Sequence, residues 1–191
     1  MADQSTELEE GGWGALDRLP GNPMMWILII SELAVFGAFF VIFATNRLLE
    51  PDLFAQSQAH LSRLMGGLNT MVLVTSGLFA ALAVPRIMQG DRRGCRLWLL
   101  AACGGGLVFL TLKAVEYGDK AASGIGIETN TFFTLFYLLT GFHALHVVFG
   151  LILMGIAMWR CSTSNVVTVT AFWHMVDLIW VILYPVVYLM R

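Results

Sequence analysis

What most constrains this chain is a series of five apolar runs, each near the ~20 residues that a helix needs to cross ~30 Å of hydrocarbon. They extend from Met24 to Thr45, Gly67 to Met88, Leu97 to Glu116, Phe132 to Trp159 and Val166 to Met190. The fourth is long enough to tilt or protrude. None alternates as a membrane strand does, and an unpaired sheet edge cannot sit in lipid. The expectation is an all-α fold, a polytopic bundle of five transmembrane helices. Composition removes the soluble alternative. Of 191 residues, 58% are hydrophobic and 13% charged, with a mean hydropathy of +0.75. A water-soluble protein of this size could not hide that much apolar surface.

The segments between the runs are short: "RLLEPDLFAQSQAHLSRLM", "QGDRRGCR", "YGDKAASGIGIETN" and "RCSTSN". None can hold a soluble domain. Residues 1–22 are polar and acidic, with no basic stretch before an apolar core, so they are expected to form a tail rather than a signal peptide. "LPGNP" makes a turn ahead of the first run. The division is then a polar tail over 1–22 and one transmembrane domain over 23–191. A net charge of −2 gives no reason to expect nucleic acid as a partner. Cys95, Cys103 and Cys161 are widely spaced, without the motifs of a zinc site, a redox pair or covalent haem attachment.

Basic residues set the orientation. The tail, second link and fourth link carry Arg18, Arg86, Arg92, Arg93, Arg96 and Arg160. The opposite side carries Arg47, Arg63, Lys120 and Arg191. The compact cluster Arg92, Arg93, Arg96 places the N-terminus inside and the C-terminus outside.

Ionisable residues within membrane spans default to a functional role. Here they are Glu32, Lys113, Glu116, His143, His146, His174 and Asp177. At ~1.5 Å per residue, Glu32 and His174 both lie roughly 12 Å from the inner boundary. Asp177 is one turn further out, and His143 and His146 reach the middle and inner half from the other side. Glu32, His143, His146, His174 and Asp177 are expected to form one buried polar layer. Lys113 and Glu116 end the third run near the outer boundary, where an ammonium can snorkel to water. Thr170, His174, Asp177, Tyr184 and Tyr188 follow one helical face. Gly104, Gly105, Gly106, Gly141 and Gly150 permit close helix contacts. Trp173 and Trp180 are expected between helices, and Trp26, Trp98, Trp159 and Tyr117 near the interfaces.

Three chemistries fit such a set. Histidines on two helices can clamp a haem, or join carboxylates around a metal. Buried carboxyls and histidines can relay protons. Or the groups satisfy one another and fix helix register. H-x-x-H alone fixes no third or fourth ligand, so no metal site is assigned.

Several motifs in series resemble subunit III of the haem-copper oxidases (the cytochrome c and quinol oxidases). They are "SELAVFGAFFVIF" with Glu32, "LNTMVLVTSG", "AVEY" with Glu116 and Tyr117, "TGFHALHVVFG" with His143 and His146, and "FWHMVDLIWVILY" with His174, Asp177 and Trp180. The resemblance runs in order over roughly residues 20–190. Two helices of the family's long form have no counterpart here, so the likeness is to the short, five-helix members, including those associated with nitric oxide reductases.

The resemblance implies a non-catalytic accessory subunit without haem, copper or another metal. It implies a partner catalytic subunit I holding haem and copper, further oxidase subunits, a structural phospholipid, and a multi-pass position in the bacterial inner (plasma) membrane. The subunit would support assembly, stability, lipid contact and the supply of protons or oxygen. The alternatives are a subunit beside a nitric oxide reductase, an independent ion or proton carrier, or a haem-binding membrane cytochrome.

Overall fold

A computed structural model describes residues 23–190, and the order of elements is purely helical among them. Helix α1 spans Pro23–Leu49, α2 Pro51–Ala59, α3 Arg63–Met88, α4 Arg92–Ala122, α5 Thr131–Arg160 and α6 Thr163–Tyr184. A π-helical turn, Pro185–Leu189, follows α6. Five helices are long and apolar enough to cross a membrane: α1, α3, α4, α5, and α6 with its π turn. The expected transmembrane bundle is therefore present. The polar tail over 1–22 and Arg191 lie outside the described residues, as does the LPGNP turn except for its last residue, Pro23, which opens α1.

One link is more ordered than expected. Residues between the first two spans form the short helix α2, which Pro51 opens at a position where no backbone N–H is needed. Its Phe54, Ser57 and Gln58 are buried. Gln58 donates to the Val187 carbonyl at 2.7 Å, and Asn130 donates to Ser57 Oγ at 2.9 Å. The other links act as helix caps. Ser62, Asp91, Asn130 and Ser162 accept from the backbone N–H groups of Met65, Gly94, Phe133 and Asn165. Helix α5 ends at Cys161, which takes a left-handed φ of 40°.

Helices α3, α4, α5 and α6 close a ring, each touching the next, with α1 laid outside against α5 and α6. Helix α6 is the most buried span and α1 the least. In lipid no hydrophobic gain pulls helices together, so close packing and interhelical hydrogen bonds must do it. Trp173 shows how. Its ring on α6 fills the space left by Gly106 of α4 and Gly150 of α5, where an added Cβ would stand 2.8 and 2.7 Å away. Its Nε1–H donates to Ser76 Oγ on α3 at 3.2 Å, and Ser76 donates to the Ala102 carbonyl of α4 at 2.6 Å. Gly105 admits the same serine. Gly104 meets nothing within 4 Å and is not a contact point, while Gly141 leaves room for only an ordinary contact with Tyr117 Oη at 3.9 Å.

Candidate functional site

Helix α1 meets α5 through a carboxyl and an imidazole. Glu32 Oε2 lies 3.0 Å from His146 Nε2. On its other side, His146 Nδ1 lies 2.8 Å from the Phe142 carbonyl oxygen. A carbonyl only accepts, so Nδ1 carries a proton there. Nε2 then faces a carboxyl oxygen. The two atoms stand within ion-pair distance at the contact between α1 and α5. Oε2 has no hydrogen-bond partner among the described residues. Phe36 and Phe142 shield His146 with ring centroids at 5.3 and 4.7 Å. The pair keeps slight access to the surroundings, at 20% and 12% side-chain exposure.

His143 lies one helical turn before His146 but faces the core. It is fully buried against Phe36, Phe109 and Trp180, with centroids at 6.3, 5.6 and 5.1 Å. Neither of its nitrogens has a hydrogen-bond partner among the described residues. His174 and Asp177 form a third setting on α6. Nδ1 and Oδ2 are 3.9 Å apart, beyond a hydrogen bond, and Asp177 Oδ1 has no partner among the described residues. The Asp177 carboxyl lies against Gly77 of α3, where a side chain would collide with it.

The expected single polar layer is thus divided. Glu32 and His146 meet, His174 and Asp177 approach, and His143 stands apart among aromatic rings. Among the described residues no three His, Cys, Asp or Glu side chains gather as metal ligands. The stripe on α6 is likewise divided. Thr170, Asp177 and Tyr184 face α3, through the Ala80 carbonyl, Gly77, and Gly66 with the Arg63 carbonyl. His174 sits at the edge of that contact, with Nδ1 beside Gly77 and about half of its side chain exposed.

Lys113 corrects the sequence reading. It does not snorkel to water, because its side chain is 2% exposed. Its ammonium donates to Glu116 Oε2 at 2.7 Å and to Tyr188 Oη at 3.0 Å. Tyr117, Phe136, Trp180 and Tyr188 surround it with ring centroids 5.0–5.7 Å away. Tyr188 donates to the Glu116 carboxylate in turn. Pairing, aromatic faces and a satisfied hydroxyl replace water, so the charge stays inside. Tyr188 was readable as part of the α6 stripe, but no local signal tied it to α4, which is 72 residues away. Ser76 and Asn69 were also missed. Asn69 is fully buried, and its amide has no partner among the described residues.

Comparison with known proteins adds an independent line. Residues 21–191 match the family described as Cytochrome c oxidase subunit III. Cytochrome c oxidase subunit 3 of Synechocystis sp. is 30% identical over 173 residues, covering 86% of this chain and 73% of that protein. The same-named subunit of Thermostichus vulcanus is 29% identical over 98% of both chains. A probable cytochrome c oxidase subunit 3 of Mycobacterium tuberculosis is 29% identical, covering 86% of this chain and 85% of that one. The match takes in every membrane helix, including both halves of the Glu32–His146 pair, and the chain belongs to the cytochrome c oxidase subunit III family.

Proposed function

We propose that this chain is a non-catalytic accessory subunit of a haem-copper oxidase in a bacterial inner membrane. The observation that carries the reading is the match of residues 21–191 to the subunit III family, together with the subunit 3 names of the relatives. Among the described residues, His143 packs on aromatic rings, His146 meets Glu32 and His174 stands near Asp177. Electron transfer and oxygen chemistry then belong to a catalytic partner subunit. Oxygen rather than nitric oxide is the acceptor that fits the oxidase names of the relatives.

Within that role, the Glu32–His146 pair ties α1 to α5 and offers a polar site through which the subunit tunes proton supply to the partner. The N-terminus faces inside, following the basic cluster Arg92, Arg93 and Arg96. A structural phospholipid has suitable places along the α1–α6 seam. One apolar groove of about 440 Å³ is lined by Met24, Ile27, Leu28 and Thr168. A second of about 280 Å³ at the other end runs from Phe40 and Val41 to Arg47, whose guanidinium suits a headgroup phosphate.

The test is purification of the tagged chain from its own membranes in mild detergent. It is expected to bring down companion chains that carry haem and copper and consume oxygen. Recovery of the chain alone, from membranes whose oxidase is intact, contradicts the proposal.

A further inference from the structure

We infer that the outward face shared by α3 and α6, centred on His174, is where a transmembrane helix of another oxidase subunit docks, offering a hydrogen-bonding side chain at that depth. This rests on the accessory-subunit reading.

The inference starts from a polar side chain in the wrong solvent. His174 lies about 16 Å along α6 from Thr163 and about 22 Å from Leu189, near the middle of the span. Its side chain is 47% exposed. Exposed hydroxyls elsewhere in the spans are satisfied within their own helices. Ser31, Thr75 and Thr111 donate to the Leu28, Met71 and Leu107 carbonyls at 2.7–2.9 Å. His174 has no such bond among the described residues. Its nearest polar neighbour, Asp177 Oδ2, is 3.9 Å away, and Asp177 Oδ1 is unpartnered among them too.

Lipid cannot complete this site. Acyl chains carry no donor or acceptor, and an unsatisfied polar group in hydrocarbon is costly. Water would have to be held at mid-membrane by an open face. A helix with a hydroxyl, amide or carboxyl at matching depth satisfies the imidazole. The surroundings suit a helix. Leu178 and Val181 on α6, with Val74 and Leu78 on α3, are exposed apolar residues around the histidine. The face thus has an apolar surround and a polar centre, the usual anatomy for fixing register between membrane helices.

The test uses the assembled complex. A photoreactive benzoylphenylalanine is placed at Leu178 or Val74, with Leu145 on α5 and Leu107 on α4 as controls. Irradiation is expected to join Leu178 and Val74 variants to another oxidase subunit, and the controls to no such chain. Adducts to that subunit from Leu145 or Leu107 but not from Leu178 or Val74 overturn this inference while leaving the accessory-subunit reading intact. Adducts to lipid alone, or to a second copy of this chain, overturn it as well. Failure of the unmodified chain to purify with any oxidase subunit overturns the underlying reading instead.

A second variant separates docking from folding. His174→Leu suits a lipid-facing position, so the isolated chain is expected to keep its melting temperature or gain. Retention in the washed complex is expected to fall about tenfold, the effect of one lost polar contact. Unchanged or improved retention places His174 against lipid and sinks the proposal.

Discussion

A lysine near the end of a membrane helix can keep its charge solvated in two ways. It can reach for headgroups, or it can bring its counter-charges inside. Spacing alone favours the first for Lys113, since the outer end of α4 is near. The structure takes the second, and the deciding residues are distant in sequence: Phe136 on α5, with Trp180 and Tyr188 near the C-terminus. Removing one member of such a buried pair strands the other. Lys113→Met is expected to cost ~3–5 kcal/mol, read as a lowered melting temperature of the complex. Adding Glu116→Gln removes the stranded charge and keeps an acceptor for Tyr188, so most of that loss should return. A double variant no more stable than Lys113→Met would show that the pair is not coupled. The Glu32–His146 pair makes a different demand. Glu32→Gln keeps the shape, and its amide can donate to Nε2, but the titrating group is gone. Oxygen consumption is expected to fall by much less than the ~10²-fold typical of losing an obligatory acid–base group. A complete loss in a spectrally normal complex would make Glu32 an essential proton carrier.

At the scale of elements, the five spans and their polar residues were legible because twenty-residue apolar runs have one solution in lipid. The partners of those residues were not. His143 and His146 share a helix and a motif, yet one turns to the aromatic core and the other to α1. That choice follows from where α1 and α4 lie, which periodicity does not report. Helix α2 was hidden for a similar reason. It is short and polar, and its order comes from contacts with Val187 and Asn130. The glycines were legible as a class but not one by one, because only a partner side chain reveals which hydrogen is needed. Gly150→Ala is expected to displace Trp173 and destabilise by ~1–3 kcal/mol, the usual range for overpacking. Near-UV circular dichroism of the tryptophans would report the displacement, and Trp173→Phe in the same chain should relieve it. Native dichroism and an unchanged melting temperature in the Gly150→Ala variant would mean the Trp173 contact is not tight.

At the scale of the whole molecule, α3, α4, α5 and α6 close a ring, and α1 lies outside it as the least buried span, meeting α5 through the Glu32–His146 pair. That division suits a subunit whose work is done at its surfaces, toward lipid and toward partners. The orientation can be checked directly, in a chain whose native cysteines are replaced. A cysteine at Gln89 is expected to resist a membrane-impermeant maleimide in intact cells, and one at Ser123 to react. The reverse pattern would invert the topology. The most direct test of the accessory role is an absorption spectrum taken after the chain is dissociated from its complex. The Soret band and the copper are expected to remain wholly with the other subunits, which keep reducing oxygen. A Soret band travelling with this chain at one haem per chain, and lost on His143→Ala or His174→Ala, would contradict that role.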